Sequence, residues 1–306
     1  MTKTDLILKS NIMTTAHGKV VTEQTIQSAY NLLESCELCP RRCKINRLND
    51  GKGFCGIGTK VVVSSADPHY GEESVLVGSG GSGTIFFAGC NLSCVFCQNY
   101  DISQLRNGHE VEIDDMVNMM LQLQTRGCVN INFVTPTHVV PQVIESVFLA
   151  KERGLAIPVV YNCGGYESIE SLLLLEGAID IYMPDAKYLS CDSSRKYSFA
   201  QDYPDVMKSA LLEMYRQVGD LETKDGIAVR GLLVRHLVMP DNIAHSKEII
   251  DFIANEISEN TFVNIMDQYR PAFNAHDFAE INRPVTRQEF NTIYEYAKNK
   301  GLRLAD

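Results

Sequence analysis

The chain has 306 residues, 45% of them hydrophobic and 22% charged, a composition that excludes a disordered chain and fills a large core without disulfide staples. Net charge is −10, which counts against a general nucleic-acid binder; only residues 36–60 are locally basic, with Arg41, Arg42, Lys44, Arg47, Lys52 and Lys60 against Glu37 and Asp50. No stretch approaches the roughly 18 apolar residues of a membrane helix, and the opening MTKTDLILKS lacks the apolar core of an export signal, so the expectation is a soluble, cytoplasmic protein with no membrane contact.

Residues 22–35 (TEQTIQSAYNLLES) predict a helix with Ile26, Ala29, Leu32 and Leu33 on one face. CELCPRRCKINRLNDGKGFCGIG follows, and Pro40, Asp50-Gly51, Gly53, Gly56 and Gly58 make it a loop module. Residues 59–77 carry short β patterns, VVVSS and SVLVG. A literal G-x-G-x-x-G at Gly78, Gly80 and Gly83 runs into the strand TIFFAG, not into a helix; it reads as a turn between strands, with no helix N-terminus for a dinucleotide. From there strands at 129–135, 157–162, 178–184, 227–238 (bent at Gly231) and 261–269 alternate with helices at 114–126, 140–153, 168–175, 204–218 and 245–257. A last helix at 286–300 starts on a T-x-x-E box. Some six βα units predict an α/β fold: an incomplete parallel (β/α)6 barrel over 79–283, preceded by a cysteine-rich module in 1–78 and followed by a helix in 284–306.

Ten cysteines in a chain expected in a reducing compartment point to metal chemistry rather than disulfides. Cys36, Cys39, Cys43 and Cys55 form C-x2-C-x3-C-x11-C, enough thiolates for a closed zinc site or an iron–sulfur cluster. Cys90, Cys94 and Cys97 form C-x3-C-x2-C just after the first barrel strand, with no obvious fourth ligand beside them; three thiolates on a four-iron cluster leave one iron open. Barrels of this kind place functional side chains at the C-terminal strand ends. Those ends offer Thr135 and Thr137, Asn162, Asp185 and Lys187, Arg235, and Gln268. Cys163 in YNCGGY sits at one of them; it, Cys128 and Cys191 read as small buried hydrophobes.

The C-x3-C-x2-C spacing after a first barrel strand, with Phe96 immediately before Cys97, resembles the radical S-adenosylmethionine (SAM) superfamily. The resemblance implies a [4Fe-4S] cluster on Cys90, Cys94 and Cys97 whose open iron binds the SAM amino and carboxylate groups. It implies reductive cleavage to methionine and a 5′-deoxyadenosyl radical, with Phe96 near the adenine. Where relatives carry Gly-Gly-Glu for the amino group, this chain has Thr135-Pro136-Thr137. Asp185-Ala186-Lys187 resembles the D-x-K of glycyl-radical-enzyme activases, whose lysine holds the SAM carboxylate. The two cysteine groups together look like iron–sulfur proteins described as similar to pyruvate formate-lyase activating enzyme, although here the extra cysteines precede the SAM motif. The implied function is activation of a glycyl-radical enzyme, with an electron donor such as flavodoxin or ferredoxin and a protein substrate. Radical modification of RNA or of a small molecule is an alternative, and a non-catalytic zinc or iron–sulfur protein is another of a different class.

Overall fold

A computed structural model describes residues 21–305; the opening MTKTDLILKS lies outside them. In chain order the elements are α1 (Glu23–Asn31), β1 (Val61–His69), α2 (Ser74–Val77), β2 (Ser82–Phe87), α3 (Tyr100–Ser103), β3 (His109–Val111), α4 (Ile113–Thr125), β4 (Ile131–Val134), α5 (Val140–Glu152), β5 (Val159–Cys163), α6 (Ile169–Leu175), β6 (Ile181–Pro184), α7 (Cys191–Ser198), α8 (Tyr203–Val218), β7 (Glu222–Lys224), β8 (Ile227–Leu237), α9 (Ser246–Phe252), β9 (Phe262–Met266), α10 (Arg287–Asn299) and β10 (Arg303–Leu304). The strands run β10-β9-β8-β6-β5-β4-β2-β1-β3 across one sheet, with β7 as a hairpin arm on β8. From β2 through β10 all neighbours along that path are parallel, whereas β1 pairs antiparallel with both β2 and β3. The architecture is therefore an open, incomplete (β/α)6 barrel on β2, β4, β5, β6, β8 and β9, with β1 carrying the N-terminal region onto its first strand.

Side chains alternate across each strand, and the apolar ones separate into two clusters. Phe133, Tyr161, Tyr182 and Val234 belong to the main core with helix residues such as Val143, Leu172 and Leu211. Val160, Ile181, Met183 and Leu233 face the other way and pack around Leu76. That position explains one difference from the sequence expectation. SVLVG reads as a strand because it is a short apolar run with two valines, but Ser74–Val77 forms a single helical turn that places Leu76 against this second cluster. The glycine-rich turn thus joins a helix to β2 rather than two strands. Short polar or edge elements such as α7, β3, β7 and β10 carry too little periodicity to be read from sequence.

Helix ends follow local chemistry. Thr22 and Thr25 form a reciprocal box at α1, and Thr286 with Glu289 does so at α10. α9 widens into a π-helical turn over Ile253–Ile257, so the helical stretch expected at 245–257 is continuous but irregular. At Gly231, φ is +119°, and a Cβ there would lie 2.5 Å from the Leu221 Cα. The strand turns at this residue from its β7 partner to β6, and Gly231→Ala is expected to cost at least about 1–3 kcal/mol through backbone strain, before the added clash. A thermal melt checks this; an unchanged midpoint would show that the bend tolerates a side chain.

Candidate functional site

The loop after β2 carries Cys90, Cys94 and Cys97, and neighbouring segments fix its backbone. Gly89 N–H donates to the Ile102 carbonyl (3.0 Å), and Val95 N–H to that of Tyr197 at the end of α7 (2.9 Å). Each sulfur has a protein hydrogen-bond partner: Leu92 N–H donates to Cys90 Sγ at 3.3 Å, Cys94 Sγ pairs with Ser198 Oγ at 3.0 Å, and Cys97 Sγ with Ser103 Oγ at 3.1 Å. Burial pushes the Cys90 and Cys94 thiols up, and each feels its cysteine neighbours; the Lys187 ammonium opposes the shift at both. Such thiols ionise when a metal replaces the proton.

Among the described residues no three Cys, His, Asp or Glu side chains converge on the position of one metal ion. A cubane cluster does not ask for that convergence, because each thiolate binds a different iron. Three soft, adjacent thiols on one loop, supplied with N–H and O–H donors and facing a lysine, fit an anionic iron–sulfur cluster.

The strand ends around this loop hold a part-buried ionic network. Lys187 Nζ donates to Asp185 Oδ2 at 2.6 Å. Arg235 Nε donates to Asp185 Oδ1 at 3.0 Å, and its Nη2 to Asn162 Oδ1 at 2.6 Å. Burial alone would raise the Asp185 carboxyl, but Arg235 and then Lys187 outweigh it and hold it below its usual range. Burial would likewise lower Lys187, yet Asp185 and then Cys94 hold it above the usual lysine value. Asn162, Asp185, Lys187 and Arg235 thus belong to one constellation, with the ammonium placed toward the cysteine loop. The neighbouring His236, on the opposite face of β8, is neutral: burial lowers it to about 4, and it bonds the Ala186 carbonyl and Ser246 Oγ.

The other expected site residues have different surroundings. Phe96 is buried between Tyr188 (ring centroids 6.4 Å apart) and Tyr269 (5.8 Å). Thr135 follows β4 in a left-handed conformation, φ 59°, and its N–H donates to the Asn162 carbonyl. Thr137 is buried, with its hydroxyl donating to Glu167 Oε1 at 2.7 Å. Gln268 is exposed, and its carbonyl accepts from Gln98 beside Cys97. Cys163 is buried, with a side-chain hydrogen bond to Glu167.

The sequence reading passed over several polar residues that the structure makes prominent. Glu167 is buried, and burial raises it to about 7 against the hydrogen bonds from Thr137, Tyr161 and Cys163. Because the folded value is raised, stability declines as pH climbs from the ordinary 4.5 toward 7, by about 3 kcal/mol in all. Glu167→Gln is expected to flatten that slope in urea melts at pH 5 and pH 7; an unaltered slope would mean that another group titrates. Glu72 and Glu73, in the turn before α2, were hidden in an ordinary-looking GEES. They line a cavity of about 470 Å³ together with Arg235, Asn264, Met266 and Gln268. Glu73 is 9% exposed, takes Asn264 Nδ2 on Oε1 at 2.8 Å, and leaves Oε2 buried without a partner.

The first cysteine group folds as the expected loop. Burial pushes the Cys39 thiol up to about 12 and raises Cys55, and the electrostatic influence of Cys36 reaches both. The basic patch divides: Arg42, Lys44, Lys52 and Lys60 are exposed, whereas Arg47 is buried and Arg41 turns inward. Arg41 Nε donates to the Asn91 carbonyl at 2.8 Å, and its guanidinium lies 3.9 Å from the Phe54 ring centroid.

Residues 84–253 match the family described as the radical SAM superfamily. The chain is 34% identical over 288 residues to the uncharacterized protein MJ0674 of Methanocaldococcus jannaschii, covering 91% of this chain and 79% of that one. It is 26% identical over 253 residues to MJ0808 of the same organism, covering 74% and 68%. Among solved structures, Streptococcus suis SuiB bound to the precursor peptide SuiA aligns with TM-score 0.49 and 12% identity, over 70% of this chain and 46% of SuiB, so the chain spans less than half of that neighbour.

The chain belongs to the radical SAM superfamily. Its cofactors are a [4Fe-4S] cluster and S-adenosylmethionine. No described helix is long and apolar enough to cross a membrane.

Proposed function

We propose that Cys90, Cys94 and Cys97 hold the [4Fe-4S] cluster, that SAM docks against the Asn162, Asp185, Lys187 and Arg235 network, and that the protein delivers a radical to a glycine of a partner enzyme. The observation that carries the docking reading is Lys187, a part-buried ammonium that influences Cys90 and Cys94 and is tied by 2.6 Å to Asp185. When bound, the cluster and SAM supply reductive cleavage of a sulfonium bond and a hydrogen-abstracting species. The chain's residues supply the rest. Lys187 presents a point charge suited to the SAM carboxylate. Asp185 and Asn162 orient Arg235 from two sides. Phe96, Tyr188 and Tyr269 form an apolar wall that excludes water beside the cysteine loop and offers a face for the adenine. Phe96, Thr135 and Gln268 complete the candidate SAM contacts. Thr137 serves through Glu167, whose carboxyl it already engages.

Support for a protein substrate is the open sheet, whose edges at β3 and β10 leave the barrel unclosed, together with the D-x-K at Asp185 and Lys187. A second reading rests on the cavity under Arg235: Glu73 Oε2 is buried without a donor, which favours a small molecule bearing an ammonium or guanidinium group. Anaerobic reconstitution, with reductant and SAM and release of 5′-deoxyadenosine as the readout, tests the chemistry. Absence of that product from a protein carrying its full iron would reject it. A glycyl-radical signal on an added partner enzyme supports the first substrate reading. Amine-dependent stimulation of SAM cleavage that Glu73→Gln removes supports the second.

A further inference from the structure

We infer that Cys36, Cys39, Cys43 and Cys55 close around a second metal centre of four thiolates and net negative charge, with Arg47 as its buried counter-ion and Arg41 as the tie that fixes it to the loop of Cys90, Cys94 and Cys97. Arg47 carries the inference. It is 1% exposed, and its guanidinium donates to the carbonyls of Gly58 (2.7 Å from Nη2) and His138 (2.8 Å from Nη1). No carboxylate pairs with it among the described residues; the ionisable groups around it are the neutral His138 imidazole and the thiols, with Cys36 Sγ at 3.9 Å and Cys55 within its electrostatic reach. A guanidinium stays charged, and burying it without a counter-charge is costly. Ionised thiolates on a metal supply that charge: zinc with four thiolates and a four-iron cluster with four thiolates are both anionic.

The local backbone is prepared for thiolates. Arg41 N–H bonds Cys39 Sγ, Ile57 N–H bonds Cys55 Sγ, and Phe54 N–H lies 3.4 Å from Cys43 Sγ. Gly53 leaves room for the Cys43 sulfur, which a Cβ there would approach to 2.8 Å. Zinc closes the site when the side chains turn inward onto one ion; a cluster closes it with one thiolate per iron.

The centre is built against the SAM-cluster loop. A Cβ on Gly89, one residue before Cys90, would lie 2.8 Å from the Cys55 carbonyl oxygen. Arg41, between Cys39 and Cys43, donates to the carbonyls of Asn91 and Ser198, and Ser198 Oγ is the partner of Cys94 Sγ. Arg47 reaches the same loop through His138, a neutral imidazole whose Nε2–H donates to the Ala88 carbonyl at 2.8 Å. Arg41 is thus a positioning residue, and the four-thiolate centre is the fixed body it pulls against.

The test uses the full-length protein purified without oxygen. In a Cys90→Ala/Cys94→Ala/Cys97→Ala variant the first cysteine group stands alone, so this inference fails or survives independently of the SAM reading. Metal and sulfide are counted, and cysteines are mapped by alkylation and mass spectrometry before and after chelation. One metal centre per chain is expected, with Cys36, Cys39, Cys43 and Cys55 alkylated about tenfold or more slowly until metal is removed. Zinc without sulfide identifies a zinc centre, and iron with equal sulfide a second cluster; either supports the inference. A folded variant without metal overturns it, as does retained metal with these four cysteines freely alkylated. Should the variant not fold, the same alkylation map of the wild-type protein decides in the same way. Arg41→Gln is expected to keep the second centre's metal while oxygen bleaches the SAM cluster several-fold faster. Unchanged bleaching would overturn the role given to Arg41.

Discussion

Cys94→Ala is expected to abolish reductive SAM cleavage, with 5′-deoxyadenosine falling to background and the iron bound by the C-x3-C-x2-C loop lost. Cys94 is buried at the centre of that loop, with Ser198 Oγ on its sulfur and Lys187 in electrostatic reach. Two remaining thiols cannot hold a cluster that needs three corners and keeps its fourth open for SAM. The loop backbone is held from outside by Tyr197 and Ile102, so the fold should survive and the loss should be chemical. Iron analysis and the cluster's absorbance, read beside the thermal midpoint, separate the two. A Cys94→Ala protein that keeps its iron and still releases 5′-deoxyadenosine would remove Cys94 from the site.

Arg235→Met is expected to cost up to about 3–5 kcal/mol, because it leaves the part-buried Asp185 and Glu72 carboxylates with Lys187 as the remaining nearby cation. Arg235 and Asp185 side chains are 17% and 18% exposed, so solvent screens the pair weakly. In a chain of 306 residues the loss corresponds to a midpoint lowered by roughly 5–8 °C. Adding Asp185→Asn removes one stranded charge and should recover part of the loss. A single variant within about 2 °C of wild type would show that the network is solvated and not a stability element. The sign of the pH effect is fixed by Asp185. Its folded value is depressed, so its contribution is present above the ordinary carboxylate value and disappears as pH falls through the folded one.

Much of the molecule was legible in the sequence. Strands at 129–135, 157–162 and 178–184 correspond to β4, β5 and β6 within two or three residues, because buried parallel strands are short apolar runs bounded by Gly, Pro and polar turns. The placement of Asn162, Asp185, Lys187 and Arg235 at one end of the sheet follows from parallel connectivity alone, since all C-terminal strand ends then fall on one side. SVLVG was misread because a one-turn helix has no period to detect. Its conformation is set by the cavity that Leu76 fills between Val160, Ile181 and Leu233, residues far away in the chain.

The sequence by itself determined the thiol spacing, the strand–helix alternation and hence the superfamily, because these depend on short-range order and periodicity. The tertiary structure decided which charges are buried. In the sequence Arg41 and Arg47 are two members of one basic stretch with nothing to set them apart from Arg42 or Lys44, and Glu73 carries no signal at all. Whether a guanidinium or carboxylate meets water or a carbonyl depends on what the fold lays over it, and desolvation energy has no local signature in the chain.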